Sequence, residues 1–434
     1  MILESTRHQS PPVTFREAVL QGLAPDGGLY LPSAIPPIDP ATIDSWRGRS
    51  LQDTAVGALG HLVGDEFDRT AFERLVRDAF SFPAPTVGVA DDISVLELFH
   101  GPTLAFKDFG ARFLARVFGY LLAERADRAT ILVATSGDTG SAVAQGFFNV
   151  PNVEVVVLYP AGKVSSFQEA QMATLGGNVR AVRVSGTFDD CQRLVKEAFL
   201  DRALDSLHLS SANSINIGRL LPQAIYYFRS WLETTTRHGD EVVFVVPSGN
   251  LGNITAGVIA QRAGLRVERF VSACNVNEVL PEFLRTGVYR ARPSIATVSN
   301  AMDVGDPSNF ARLLALHDGS IDRLRANIWG TSVSEADTRT TMRDTYRRTG
   351  YVLDPHTAVG FAAARRFRGA TGNTRPTVVL ATAHPSKFAP AIREELGFEP
   401  PLPDAWRDWA SKPLLADDLP DARYPTFRRY LLDQ

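Results

Sequence analysis

The chain has 434 residues, 44% hydrophobic and 21% charged, and its 45 Lys and Arg against 48 Asp and Glu leave a formal net charge of −3. This is the composition of a globular protein; it excludes collagen-like and disordered chains and recruits neither nucleic acid nor an anionic membrane in bulk. Two cysteines, Cys191 and Cys274, make neither a disulfide framework nor a four-thiolate zinc site, so a reducing, cytoplasmic setting and no metal are expected.

Met1-Ile2-Leu3-Glu4-Ser5-Thr6-Arg7-His8 contains an acid and no apolar run, so no secretory signal is read there. Helical patterns at 15–22, 51–63 and 70–80, joined by the Pro-rich 32–40, predict an N-terminal helical element over 1–90, packed on a catalytic core. Beyond it, short Val- and Ile-rich runs at 93–98, 130–134, 153–159, 179–184, 242–246, 267–273 and 377–381 read as buried strands. None approaches the ~20 apolar residues that span a bilayer. Between the strands lie amphipathic stretches. In 108–123 the residues Phe109, Phe113, Leu114, Val117, Phe118 and Leu121 recur at helical steps and make one apolar face. Such alternation predicts an α/β core over 91–400 with mainly parallel sheets, in two subdomains with the smaller at roughly 110–230. A tail over 401–434, rich in Pro, Asp and Arg, is expected to pack on its surface. Ligands of parallel sheets bind at the carboxyl ends of the strands.

Four strand-to-helix loops carry chemistry. In His100-Gly101-Pro102-Thr103-Leu104-Ala105-Phe106-Lys107-Asp108, a lysine stands among apolar residues at a helix start. Burial and the positive helix end both disfavour its ammonium form and favour a nucleophilic amine; a solvent-facing lysine beside a capping aspartate is the plain alternative. Ala134-Thr135-Ser136-Gly137-Asp138-Thr139-Gly140-Ser141 crowds hydroxyls at a helix N-terminus, as an anion site or an ordinary cap would. Pro247-Ser248-Gly249-Asn250-Leu251-Gly252-Asn253 lets backbone N–H groups converge on an anion, although a tight turn uses the same residues. It is not the nucleotide-triphosphatase loop, for no Gly-Lys-Ser/Thr follows. The last, Ala381-Thr382-Ala383-His384-Pro385-Ser386-Lys387-Phe388, offers His384 as acid, base or structural residue and Lys387 as an anion ligand. A lysine able to bond an aldehyde, with a Gly-Asn phosphate cradle, implies pyridoxal 5′-phosphate.

With these motifs the chain resembles the threonine synthase family, within the tryptophan-synthase-β-like, fold type II group of pyridoxal-phosphate enzymes. The similarity also runs through Glu4-Ser5-Thr6-Arg7, Gly22-Leu23-Ala24-Pro25-Asp26-Gly27-Gly28-Leu29-Tyr30, Gly162-Lys163-Val164-Ser165, Asp303-Val304-Gly305-Asp306-Pro307-Ser308-Asn309 and Asp354-Pro355-His356-Thr357-Ala358-Val359-Gly360. The resemblance implies two open, twisted, mostly parallel sheets with flanking helices. It implies that Lys107 holds the cofactor covalently, that Gly249, Asn250, Leu251, Gly252 and Asn253 bind its phosphate, and that Thr382 meets its pyridine nitrogen. That neutral partner, where other folds use an aspartate, would favour elimination over transamination. Thr135, Ser136, Gly137 and Thr139 would take the substrate carboxylate, with Asp138 near the ring hydroxyl. Ser214, Asn216 and Arg219, joined by Lys163, would take a substrate phosphate, with Lys387 as a further local cation. Leu251 stands where close relatives carry Phe, and Asp138 where other branches carry Asn.

The implied reaction converts O-phospho-L-homoserine and water into L-threonine and phosphate by γ-elimination and β-addition, in a monomer or homodimer. The alternatives are a serine or threonine dehydratase or a cysteine synthase of the same fold, a homologue without turnover, and a non-catalytic scaffold. The first acts at Cβ and needs no second phosphate site.

Overall fold

A computed structural model describes residues 1–90 and 92–433; Asp91, at the expected start of the core, and Gln434, at the end of the expected tail, lie outside the described residues. The strands in chain order are β1 (Ile2–Ser5), β2 (Val13–Thr14), β3 (Tyr30–Pro32), β4 (Thr86–Ala90), β5 (Ile93–Glu97), β6 (Ala129–Ala134) and β7 (Val153–Pro160). They continue as β8 (Val179–Val184), β9 (Leu209–Ser210), β10 (Val242–Pro247), β11 (Val267–Cys274), β12 (Ile328–Ser332), β13 (Thr377–Ala381) and β14 (Ala416–Leu419). The larger sheet runs β12-β11-β10-β13-β5-β4, all parallel except the edge strand β4. The smaller, wholly parallel, runs β14-β8-β7-β6-β9. A third, antiparallel sheet of β2-β1-β3 closes the N-terminus.

All seven expected strands are present, because helices cover both faces of a parallel sheet and its central strands must read as continuous apolar runs. In β10 every residue is buried. The fold is thus the α/β architecture with two mostly parallel sheets. The N-terminal element carries its three expected helices, Phe15–Gln21, Leu51–Val63 and Arg69–Ala79, and also the small sheet, which was not expected. Residues after 400 do more than cover a surface: β14 pairs with β8, and the helix Tyr424–Leu432 buries Phe427 and Leu431 in the smaller layer's core. No described helix is long and apolar enough to cross a membrane. Cys191 and Cys274 are unpaired and buried, and burial pushes both thiols up to about 12.

Strands β10, β13 and β5 are neighbours and parallel, so their carboxyl ends open on one edge. The helix leaving β5, Lys107–Arg125, packs on the helix Asp138–Phe147 that leaves β6. The loops leaving β5, β10 and β13 therefore lie on one edge of the larger sheet, and the packed helices bring the β6 loop toward them.

Candidate active site

The loops after β5 and β13 are stitched together: Leu98 N donates to Ala381 O (3.0 Å), Phe106 N to Thr382 O (2.9 Å) and His384 N to Leu104 O (3.0 Å). Leu104 adopts a left-handed φ of 59° to make the turn. Lys107, the first residue of its helix, is thereby brought beside Asp138 from the β6 loop, with Nζ 3.9 Å from Asp138 Oδ2. The Lys107 side chain keeps 18% of its surface, and Asp138 only 6%. Burial pulls the Lys107 amine below the ordinary lysine range; Asp138 opposes this, and Lys387 and Arg219 add to it. Asp138 is itself raised by burial, but Lys387, Lys107 and Gln168 outweigh that and hold it well below the usual carboxylate range. The cleft thus pairs a fixed anion with an amine inclined to shed its proton.

Residues 248–253 leave β10 for the helix Gly252–Arg262, turning through Leu251 at φ 60°. Among the described residues, none of the five backbone N–H groups of 249–253 donates to a protein acceptor. Five free amides at a helix N-terminus form an anion cradle. The rear of this loop is fixed, since Asn309 donates to Asn250 O through its backbone N (3.2 Å) and Nδ2 (3.1 Å). A Cβ on Gly249 would fall 2.9 Å from Ala301 O, so the close packing there requires glycine. Ala301 is in turn held by its N–H to His356 Nε2 (3.1 Å), while His356 Nδ1 meets Asp354 Oδ1 at 2.8 Å.

In the β6 loop the Thr135 hydroxyl closes the turn: it accepts from Gly137 N and Gly140 N, each at 2.9 Å, and donates to Gly137 O. The Ser136, Asp138 and Thr139 amides remain free of protein acceptors among the described residues, a second and smaller nest. Gly137 has φ 142°, and a Cβ there would strike the Gln168 amide, which donates to Asp138 Oδ1 at 2.9 Å.

The expected phosphate ligands are brought to unequal places. Arg219 is buried; one guanidinium nitrogen donates to Ala212 O, while its Nε has no partner among the described residues. Burial brings the group down to about 10. It lies against the Lys107 helix, where a Cβ on Gly110 would fall 2.9 Å from Nε. The Ser214 hydroxyl makes no protein bond among the described residues, but its carbonyl accepts from Arg312 at 3.4 Å. Asn216 spends its side chain on the fold, donating to Val19 O (2.9 Å) and Ser211 O (3.2 Å) and accepting from Gly218 N (2.9 Å). Lys163 is exposed in the turn after β7.

One expectation from the sequence is corrected. Lys387 is no free cation: its Nζ donates to Thr103 O (2.8 Å) and Gln171 Oε1 (3.1 Å) and meets Asp138 Oδ1 at 2.8 Å, which uses all three ammonium hydrogens. His384 spends its Nδ1 within its own loop, in keeping with the structural alternative: it accepts from Ser386 N (3.2 Å) and lies 2.7 Å from Ser386 Oγ, with burial lowering it to about 4. Sequence reasoning missed Gln168, Gln171 and Arg312. The glutamines sit one turn apart on a helix, a spacing also common on solvated faces, so only their buried partners mark them.

Pyridoxal phosphate fits these residues. The partly buried amine suits its aldehyde, the five free amides suit its phosphate, and Thr382, a buried residue whose hydroxyl makes no protein hydrogen bond among the described residues, suits its ring. Residues 83–383 match the family described as pyridoxal-phosphate dependent enzyme, 3–80 the threonine synthase N terminus, and 357–430 the threonine synthase C-terminal family. A threonine synthase of Serratia marcescens is 42% identical over 435 residues, covering 100% of this chain and 99% of the relative. One of Escherichia coli K12 is 41% identical over 434 residues, with 100% of each covered. The crystal structure of PLP-bound threonine synthase from Brucella melitensis matches with a TM-score of 0.95 at 38% identity, over 99% of this chain and 98% of that one. The chain belongs to the threonine synthase family of pyridoxal-phosphate dependent enzymes.

Proposed function

We propose that the chain takes O-phospho-L-homoserine and water to L-threonine and phosphate, with Lys107 as the cofactor-bearing residue and the proton carrier at the substrate Cα. The family fixes the reaction class, a pyridoxal-phosphate dependent lyase; the substrate and the roles below are the proposal. When bound, pyridoxal phosphate supplies the electron sink that makes the substrate Cα–H bond acidic.

The chain's residues divide the remaining work. Gly249, Asn250, Leu251, Gly252 and Asn253 hold the cofactor phosphate through their amides. Thr382 orients the ring through its hydroxyl, and Asp138 stands by the ring hydroxyl. The Ser136, Asp138 and Thr139 amides, with the Ser136 and Thr139 hydroxyls, take the substrate carboxylate; Thr135 and Gly137 shape that nest. The unmatched Nε–H of Arg219 and the Ser214 hydroxyl take the substrate phosphate, Asn216 holds their loop, and Lys163 draws the dianion in from the rim. The observation that carries this reading is three separate sets of free anion donors, the 249–253 amides, those of Ser136, Asp138 and Thr139, and the Arg219 Nε–H, alongside one partly buried amine. A dehydratase acting at Cβ would leave the Arg219 Nε–H, a buried donor, unmatched. Two buried, unpaired thiols accord with a cytoplasmic site of action.

Phosphate and threonine release from O-phosphohomoserine, with serine and O-acetylserine as controls, tests the proposal. Equimolar phosphate and threonine are expected from the first and no turnover from the controls. Turnover of the controls alone would make the chain a Cβ-acting enzyme of the same fold.

A further inference from the structure

The chain contains five lysines, Lys107, Lys163, Lys196, Lys387 and Lys412, and two of them meet at one carboxylate. Asp138 lies between them, with Oδ1 2.8 Å from Lys387 Nζ and Oδ2 3.9 Å from Lys107 Nζ. The Lys387 side chain has no exposed surface, and its remaining hydrogens go to Thr103 O and Gln171 Oε1. Binding any anion would cost it one of those bonds. Gln171 Nε2 also donates to Thr103 O at 3.1 Å, and the Gln168 amide to Asp138, so the whole cluster is braced.

A buried carboxylate beside an amine stabilises the ammonium and so works against an amine that must act as nucleophile and base. A second cation on the far side of the carboxylate reverses much of that effect. We propose that Lys387 is a positioning residue: it fixes Asp138 toward the cofactor and offsets the carboxylate's charge, so that Lys107 Nζ carries a free amine. This rests on the reading of Lys107 as the cofactor-bearing residue. The charged groups acting on Lys107 are Asp138 from the β6 loop, Lys387 from the β13 loop and Arg219 from the short helix Ile217–Leu220, while Asp108, next on its own helix, turns its carboxyl to Thr103. Two cations thus stand against one carboxylate. Removing Lys387 leaves one cation against that carboxylate, and the ammonium form of Lys107 must gain.

The test uses the full chain freed of cofactor, with carbon-13 at lysine Cε, followed by NMR across a pH titration. In the native protein the Lys107 signal is expected to titrate below those of the exposed Lys163, Lys196 and Lys412; a midpoint at or above theirs overturns the proposal without any variant. Lys387→Met and Lys387→Gln, checked for folding by circular dichroism, should each move the Lys107 midpoint upward by about one pH unit or more. Lys387→Arg, which keeps the cation, should show little of that shift and leave the midpoint near its native value. A midpoint that stays or falls in a folded neutral variant overturns the role of Lys387. Mapping the cofactor by mass in the borohydride-reduced holoprotein separates the two readings. Cofactor on Lys107 with an unmoved midpoint sinks only the role of Lys387, whereas cofactor on another residue sinks the reading beneath it.

Discussion

At the scale of single residues, burial decides chemistry. Asp108 follows Lys107, has no exposed surface, and accepts from Thr103 N (2.8 Å) and Thr103 Oγ1 (2.7 Å). Burial nevertheless raises its carboxyl to about 6. The folded chain therefore keeps a proton that the unfolded chain gives up, and stability falls as pH rises from about 4 to about 6, by up to ~3 kcal/mol. Asp108→Asn, whose amide can donate to the Thr103 hydroxyl, removes the titration. Native stability measured against this variant in urea should decline across that window; a constant difference would mean that the carboxyl titrates normally. The residues named from sequence were those whose type limits their role, such as Lys107, Thr382 and the loop glycines. Lys387 was legible as a cation but not as a saturated one, because its acceptors Thr103, Gln171 and Asp138 come from three distant segments.

At the scale of elements, the seven strands found in the sequence are those buried on both faces, which carry their signal in composition. The others depend on partners. β12 contains Gly330 and two hydroxyl residues at a sheet edge, and β14 reads Ala-Asp-Asp-Leu, with both acids facing solvent. Neither looks like a strand until β11 or β8 lies beside it. The loop 248–253 was legible as a cradle, but its support was not: Asn309 and His356 belong to motifs that carried resemblance and no assigned chemistry, and Ala301 to no motif at all. That support predicts the effect of Gly249→Ala. The added Cβ must displace Ala301 O at 2.9 Å or the loop itself. An overpacking cost of ~1–3 kcal/mol would weaken cofactor binding roughly ten- to a hundredfold, read by fluorescence on reconstitution. Native affinity in the variant would show that the loop yields without losing its amides.

At the scale of the molecule, the N-terminal element braces the segment 210–216 and the helix that carries Arg312. Asn216 donates to Val19 O, Ser210 Oγ to Leu20 O, and the fully buried Arg312 joins Tyr30 O, Ile215 O and Asn309 Oδ1. Burial lowers the Arg312 guanidinium to about 9, and backbone carbonyls supply most of its bonds. One side chain thus ties the N-terminal sheet, the Ser214 loop and the cradle's support. Arg312→Met takes its donor from four buried or partly buried oxygens while removing a buried cation, so a net loss of about 2–4 kcal/mol is expected. The variant's KM for the phosphorylated substrate should rise while its cofactor absorbance persists; native melting and KM would remove this seam from the account.

The central claim is that Lys107, and not Lys387 on the far side of Asp138, bears the cofactor. Borohydride reduction of the holoprotein followed by peptide mass mapping tests it most directly. One cofactor adduct per chain is expected, on the peptide containing Lys107, and none on the peptide containing Lys387. An adduct on Lys387, or a stably bound cofactor that leaves both lysines unmodified, would contradict it.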